Sequence, residues 1–142
     1  MNKLIKILPL LLLFLLTACG NGLKEEVVST FDNGQPMVVK YYNAENQCVR
    51  EVHYYDGGEL FMEGEMKDGV RNGEWISYFP DGKVQSKGFF KDDKRTGKAL
   101  VYYENGNLWM DGFYEKGEKA GLWIYYDELG YELGRVDYGS RD

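Results

Sequence analysis

A glycine recurs at every twenty-fourth position and divides most of this chain into copies of one unit. One glycine series keeps this step throughout and comprises Gly34, Gly58, Gly82, Gly106 and Gly130. Two further series keep it over three copies, Gly73, Gly97 and Gly121 in one and Gly64, Gly88 and Gly112 in the other. A fixed period of roughly 20 to 50 residues predicts an array in which one supersecondary unit stacks on copies of itself.

The repeated unit has the composition of a β-hairpin. Residues Trp75 to Phe79 are aromatic or β-branched, which favours a strand, and Lys83 to Phe90 form the return strand. Between them, Pro80-Asp81-Gly82 suits a type I turn followed by a left-handed glycine, the corner of a hairpin with a G1 bulge. The 24-residue glycine series therefore predicts five such corners. The polar segments 67–73, 91–97 and 116–121 are predicted to link successive hairpins.

Side chains alternate between the two faces of a strand, so residue parity predicts which side chains share a face. Even positions in both strands of each unit are mostly apolar, as at Ile76, Tyr78 and Val84, and also hold Gly64, Gly88 and Gly112. These glycines would let neighbouring rings lie flat on the backbone. The odd face is predicted to be mixed, with Trp75 and Trp123 among acids, and its column is interrupted where position 99 holds Ala.

The repeats resemble the MORN-repeat family, and more closely its bacterial variant. Three copies carry the pattern: Gly73, Trp75, Tyr78, Phe79, Gly82 and Lys83; Gly97, Tyr102, Tyr103 and Gly106, with Ala99 in place of Trp; and Gly121, Trp123, Tyr126 and Gly130. The resemblance implies an all-β fold, an elongated single-layer antiparallel meander of stacked hairpins. It also implies that the repeats serve as an interaction surface. Some bacterial members are classed as antitoxins, a role that fits an exported chain poorly and ranks last among the alternatives.

The first residues read as an export signal. Lys3 and Lys6 precede an apolar run from Ile7 to Leu16, which is too short to span a bilayer. Leu16-Thr17-Ala18-Cys19 resembles the lipobox of bacterial lipoproteins, which implies cleavage before Cys19 and its acylation; a plain signal peptide or a buried helix is the alternative. We therefore predict a signal peptide with a helix at 1–18, a tether at 19–26 and a MORN-like repeat domain of about five units at 27–142.

The predicted destination is the cell envelope. Gly20 after the lipidated cysteine resembles the sorting signal for the outer membrane in bacteria that have two membranes. The segment Lys24-Glu25-Glu26 resembles a surface-export tag, although a solvated linker is the simpler interpretation. Removal of residues 1–18 takes away two lysines and no acid, which changes the formal charge from −6 to −8. That balance argues against nucleic acid and against anionic headgroups as ligands.

The sequence offers little catalytic chemistry, and we expect no enzyme, cofactor or metal. His53 is the single histidine and is expected to be a partly buried imidazole without a catalytic role. With Cys19 acylated, Cys48 is left without a disulfide partner and is expected to be a buried thiol. Glu63 and Glu65 have a spacing that could flank a glycosidic bond, but such pairs are common on solvent faces, and Asp92-Asp93 lies in a predicted turn.

We therefore expect a membrane-anchored, non-catalytic interaction module whose partner is a protein. Exposed aromatic side chains among acids usually mark such sites. The candidate binding face comprises Phe61, Trp75, Phe89, Trp109, Phe113 and Trp123. The alternative for these residues is that they cover one another. Binding to envelope glycan or peptidoglycan is the alternative function, because flat rings beside carboxylates suit sugars.

Overall fold

The computed structural model describes residues 22–140, and over that range the chain is one open antiparallel sheet without helices. Ten strands pair strictly in sequence order, which confirms the predicted all-β meander of hairpins. At about 4.8 Å between neighbours, the ten strands span roughly 45 Å. They are β1 (Lys24–Thr30), β2 (Pro36–Tyr42), β3 (Cys48–Tyr54), β4 (Leu60–Lys67), β5 (Val70–Tyr78), β6 (Val84–Lys91), β7 (Lys94–Tyr102), β8 (Leu108–Glu115), β9 (Glu118–Tyr126) and β10 (Glu132–Asp137).

The predicted signal peptide, its helix and Cys19 lie outside the described residues. The predicted tether at 19–26 is longer than the structure allows, because β1 begins at Lys24. Glu25 and Glu26 pair with Tyr41 and Lys40 of β2, so backbone hydrogen bonding draws these polar residues into the sheet. Within residues 22–140 no helix is long and apolar enough to cross a membrane.

All five predicted corners are present, and they share one geometry. At the corner before β6, the Gly82 amide donates to the Phe79 carbonyl at 2.9 Å and the Phe79 amide donates to Lys83 at 2.8 Å. Gly82 has φ of +84°, a conformation that glycine adopts without the clash a Cβ would cause. The same pair of hydrogen bonds and a positive φ recur at each of the other four glycines of the series.

The turns at the opposite edge are shorter than predicted. Asp68-Gly69, Asp92-Asp93 and Lys116-Gly117 are two-residue turns in which both residues have positive φ, the signature of type I′. The predicted links at 67–73, 91–97 and 116–121 are therefore wrong in extent. Their later residues lie inside β5, β7 and β9, where Gly73, Gly97 and Gly121 have positive φ and the pairing register with the preceding strand shifts nearby.

The predicted face assignment by parity is also wrong, and a bulge in each hairpin is the reason. Ser77 pairs with Ser86 but Tyr78 pairs with Val84, which leaves Gln85 as an extra residue. Beyond that bulge, odd positions of one strand lie opposite even positions of the next. Five residues occupy this bulge position at the 24-residue step: Met37, Phe61, Gln85, Trp109 and Leu133.

Pairing across the sheet defines the two true faces. Gly64, Trp75 and Gly88 are paired in one row, and Ala99 pairs with Gly112 in the equivalent row. We call the face that carries Trp75, Ala99 and Trp123 the indole face. The opposite face carries a row that alternates apolar and charged side chains: Glu63, Ile76, Lys87, Leu100, Asp111 and Ile124. Most of the largest buried side chains therefore lie on the indole face.

Side chains at the corners tie each unit to the next. The Tyr55 hydroxyl donates to the Tyr78 carbonyl and the Tyr103 hydroxyl donates to the Tyr126 carbonyl, each at 2.9 Å. The residue between these two tyrosines in the series is Phe79, which has no hydroxyl. At that corner the Lys83 ammonium donates to the Glu104 carbonyl at 3.0 Å instead. Stability is thus built from contacts between neighbouring units, as in other repeat proteins.

Candidate functional site

Two tryptophans lie flat on glycines of the neighbouring strand and set the pattern of the indole face. The rings of Trp75 and Trp123 fill the space that a Cβ would take at Gly64 and Gly112. Their indole N–H groups donate to the carbonyls of Glu65 and Phe113, each at 3.0 Å. The exposed fractions of Trp75 and Trp123 are 6% and 1%, so both rings are core. The expectation that rings lie against these glycines is confirmed at Gly64 and Gly112, although the rings come from odd positions, and it is wrong at Gly88.

Aromatic rings of the return strands pack edge-on against the two indoles. Phe90 lies 6.1 Å from Trp75 between ring centroids, at an interplanar angle of 72°. Tyr114 and Tyr138 lie on either side of Trp123, at 5.1 Å and 6.4 Å. Such T-shaped pairs stabilise by about 0.5–1.5 kcal/mol beyond the area they bury.

A row of cations, also at the 24-residue step, lies over these rings. The Arg71 guanidinium is 4.2 Å from the Phe90 ring centroid, and the Arg95 guanidinium lies between Phe90 at 5.5 Å and Tyr114 at 5.2 Å. Lys119 is 4.3 Å from the Trp123 ring. This row was not predicted from the sequence, because Arg71, Arg95 and Lys119 lie in segments that were predicted to be polar links. The 24-residue spacing of these three cations is the sequence feature from which the row could have been predicted.

The repeat between those of Trp75 and Trp123, which we call the middle repeat of these three, has Ala99 in place of the indole, and a cleft of about 240 Å³ opens there. We call it the Ala99 slot; its lining includes Gly88, Phe90, Arg95, Ala99 and Tyr114, with Trp75 and Trp123 at its margins. No heavy atom beyond its chain neighbours lies within 4 Å of the place a Cβ would take at Gly88. Gly88 is also partly exposed, whereas Gly64 and Gly112 are buried. The slot is therefore an unfilled copy of the two indole sites.

A second, more open recess lies beside the slot on the indole face. We call it the Trp109 recess; it measures about 430 Å³ and its lining includes Phe79, Tyr103, Glu104 and Trp109. Trp109 is a bulge residue, and the bulge turns its side chain toward the face that holds Val101. Its ring lies 5.9 Å from that of Tyr103 and keeps 41% of its surface exposed. The recess and the slot share Gln85, Ser86, Arg95 and Val101.

The six aromatic residues predicted to form one binding face lie in three places. Trp75 and Trp123 are buried on the indole face, and Phe61 and Trp109 occupy bulge positions near the corners. Phe61 packs against Tyr55 at 5.0 Å. Phe89 and Phe113 project from the opposite face, where 41% and 49% of their surfaces are exposed. The prediction of a single aromatic face is therefore wrong, because the bulges reverse parity between strands.

The candidate polar residues form local pairs. The His53 Nε2 lies 2.7 Å from a carboxylate oxygen of Glu51. Glu63 forms an ion pair with Arg50 and accepts a hydrogen bond from the Tyr78 hydroxyl at 2.9 Å. Cys48 is half-buried rather than buried, and partial burial raises the pKa of its thiol. Among residues 22–140, no group of three or more His, Cys, Asp and Glu residues is placed to hold a metal ion.

The structural repeats coincide with recognisable sequence repeats. The family model described as MORN repeat variant matches residues 71–92 and 95–116. These segments correspond to the hairpins β5–β6 and β7–β8. The resemblance inferred from the sequence is thus confirmed at two repeats, which indicate a repeat-based interaction module. No curated protein matches the chain.

Proposed function

We propose that this chain is a lipoprotein, anchored through acylated Cys19, whose hairpin repeats bind a protein partner without catalysis. The main support for binding of a protein partner is the exposed Trp109 ring in the Trp109 recess. Burial of a tryptophan or tyrosine removes roughly 150–250 Å² from water. Leaving Trp109 exposed beside Tyr103 therefore forgoes stability that a partner would recover on binding. Tryptophan and tyrosine are also the residues enriched where interface energy concentrates.

The proposed location follows from the sequence of the first 26 residues. Residues 1–18 have the pattern of an export signal, and Leu16-Thr17-Ala18-Cys19 resembles a lipobox, which together support lipid anchoring in the cell envelope. The sorting resemblance at Gly20 favours the outer membrane if the source has two membranes. Three acyl chains on one residue would hold the chain firmly, since one chain alone binds a bilayer marginally. The repeats would then present their surface at the membrane.

Metabolic labelling with an acyl-chain probe tests the anchor. The wild-type chain is expected to take up label and to partition into detergent. Cys19→Ser is expected to lose both properties, whereas Cys48→Ser is the matched control that retains the lipobox thiol and should behave as wild type. Label that persists in Cys19→Ser, or a wild-type chain that takes up none, contradicts the proposed anchor.

Co-purification from crosslinked membranes tests the interaction surface. A specific partner should be recovered with the wild-type chain and lost with Trp109→Ala. Leu129→Ala is the matched control, because Leu129 is a large exposed apolar side chain at the neighbouring corner and does not line the recess. Equal recovery with Trp109→Ala would remove the recess from the proposed function. Circular dichroism of each variant reports whether the sheet is retained.

Glycan binding is the second candidate, and the composition of the same recess favours it. The recess is lined by Tyr103, Trp109 and Glu104, a set of residues that suits a sugar ring stacked on aromatic rings near an acidic residue. Tryptophan fluorescence titrated with soluble cell-wall fragments would discriminate between the two candidates. A saturable change that disappears in Trp109→Ala would favour the glycan, and an unchanged spectrum at about millimolar fragment favours the protein partner.

A further inference from the structure

The Ala99 slot has the features of a tryptophan site from which the tryptophan is missing. At the two equivalent positions, an indole covers a glycine of the preceding strand and donates its N–H to a backbone carbonyl. The corresponding glycine in the slot is Gly88, and the corresponding carbonyl, one 24-residue step from those of Glu65 and Phe113, belongs to Phe89. The slot therefore has a flat floor at Gly88, and the 24-residue step predicts the Phe89 carbonyl as the acceptor for an N–H donor.

The side walls of the slot are also those of an indole site. Phe90 and Tyr114 occupy the positions from which rings pack edge-on against Trp75 and Trp123. Arg95 takes the place of Arg71 and Lys119, whose charged groups lie 5.9 Å and 4.3 Å from the centroids of those indoles. A cation at that distance from a ring face stabilises the ring electrostatically. Arg95 is thus placed to stack on an aromatic group that enters the slot.

We propose that the Ala99 slot binds a tryptophan side chain of a partner protein, in the pose that Trp75 and Trp123 adopt within the chain. This inference rests on the proposed interaction function and names the chemistry that the partner must present. Phenylalanine would leave the carbonyl position without a donor, and a lysine or arginine side chain would be repelled by the Arg95 cation.

A polypeptide is a better source of the indole than a free small molecule. A single ring in one slot reaches affinities only on the order of millimolar once the entropy of association is subtracted. The slot is continuous with the Trp109 recess through Ser86, Arg95 and Val101. A chain that inserts one tryptophan can therefore make further contacts in the recess.

Fluorine NMR of small probes tests the chemistry without interference from the three native tryptophans. The probes are N-acetyl-5-fluoro-L-tryptophanamide and 5-fluoroindole, added to the full-length chain in detergent. Both are expected to show saturable shifts, and the capped amide should bind at least as well as 5-fluoroindole. Methionine methyl labelling provides the location, because Met62 and Met110 line the slot and Met37 on β2 does not. Shifts confined to Met62 and Met110 are expected.

Two substitutions and a control test whether the NMR shifts arise from binding in the slot. Ala99→Trp fills it and should weaken both probes by at least about tenfold through steric exclusion. Leu122→Trp adds the same side chain at an exposed position outside the slot and should leave affinity unchanged. Arg95→Gln, which is independent of whether Ala99→Trp folds, should weaken binding by about two- to fivefold through loss of the cation.

Several outcomes would overturn the inference. They are the absence of binding by both probes, full affinity in Ala99→Trp, and methyl shifts at Met37 rather than at the slot. If 5-fluoroindole binds but N-acetyl-5-fluoro-L-tryptophanamide does not, the proposal that the indole belongs to a polypeptide is wrong, and the slot is a site for a small molecule. If the slot fails while partner recovery still depends on Trp109, the proposed function stands and only this inference is lost.

Discussion

The repeats that contain Trp75 and Trp123 and the repeat that contains Ala99 have the same backbone but different interiors. In the first two, an indole covers a glycine and its N–H is bonded. In the third, the glycine is open and a cleft of about 240 Å³ remains. All three keep the same corner hydrogen bonds, the same two-residue turns and the same bulge positions. The indole is therefore not what fixes the hairpin geometry.

The comparison separates what specifies the sheet from what stabilises it. Corners, turns and register persist without the ring, because backbone hydrogen bonds and glycine conformations set them. The indole instead buries apolar surface. Few other side chains in a single-layer sheet are buried to the same extent. Loss of the ring at one repeat is tolerated because each unit is stabilised mainly by its neighbours.

Removal of either indole should produce the largest effect on stability. Trp123→Ala and Trp75→Ala each create an empty site like the Ala99 slot and should lower the free energy of unfolding by about 3–5 kcal/mol. The effect of Trp123→Ala should be the larger, because Trp123 is the more buried ring. Denaturant unfolding followed by circular dichroism measures the change. Trp109→Ala is the matched control and should cost under about 1 kcal/mol, as is usual for exposed residues; an equal loss would show that exposure does not distinguish these rings.

Addition of a methyl group at the three equivalent glycines should separate filled repeats from the empty one. Gly64→Ala and Gly112→Ala place a Cβ inside an indole ring and should cost about 1–3 kcal/mol through overpacking. Gly88→Ala meets open space and should stabilise by about 0.4–1 kcal/mol, since alanine restricts the unfolded chain. Thermal unfolding of the three variants measures the difference, and equal melting temperatures would mean that the slot is closed in solution.

Restoration of the missing ring should make the middle repeat resemble its neighbours. Ala99→Trp should raise the free energy of unfolding by about 0.5–2 kcal/mol, the usual gain from filling a cavity. A crystal structure is expected to show the new indole flat on Gly88, with its N–H bonded to the Phe89 carbonyl. Leu122→Trp is the control that adds a tryptophan without filling a cavity. A destabilised Ala99→Trp would mean that Phe90, Arg95 and Tyr114 occupy the space in solution.

The smallest effect on stability should come from substitution of Asp93, the acid that is hydrogen-bonded to Arg71 in the repeat that contains Trp75. Asp93 accepts hydrogen bonds from the Arg71 side chain and backbone, each at 3.0 Å, and these bonds lower the pKa of its carboxyl group from its usual value. A lowered folded-state pKa contributes stability above the unfolded-state pKa and loses it as the pH falls. The advantage of wild type over Asp93→Asn should therefore shrink as the pH falls below about 5, through the unfolded-state pKa and then through the lower folded-state pKa. Asp92→Asn removes a carboxylate from the same turn and is the control; an equal trend in that variant would contradict the assignment.

The hairpins were predictable from the sequence because their determinants are local. A glycine that must adopt positive φ marks each corner, and this requirement survives even where the rest of a unit has diverged, as at Gly34 and Gly58. The faces were not predictable by parity, because one extra residue at each bulge reverses the alternation. The type I′ turn at Asp92-Asp93 was hidden for a related reason, since both residues there adopt positive φ without glycine.

The candidate site was predicted only in part. The sequence predicts that Trp109 takes part in an interaction and that Ala99 interrupts the indole column; the structure shows an exposed ring at Trp109 and a cleft at Ala99. Residue parity placed buried Trp75 and exposed Phe113 on one predicted surface. They lie on different faces, because the face of a side chain depends on how its strand pairs with the next. The 24-residue spacing of Arg71, Arg95 and Lys119 is visible in the sequence. It does not indicate a row of cations over the rings until the turns are known to be two residues long, which places these residues in strands.

The sequence by itself determined the repeat length, the hairpin corners and the order of the strands. These features follow from short-range steric requirements that each unit satisfies alone. Only the tertiary structure decided which side chains share a face, which rings are buried and that the middle repeat holds an open indole-shaped slot. Those properties depend on the register between strands, and a single bulge residue changes that register for every side chain beyond it.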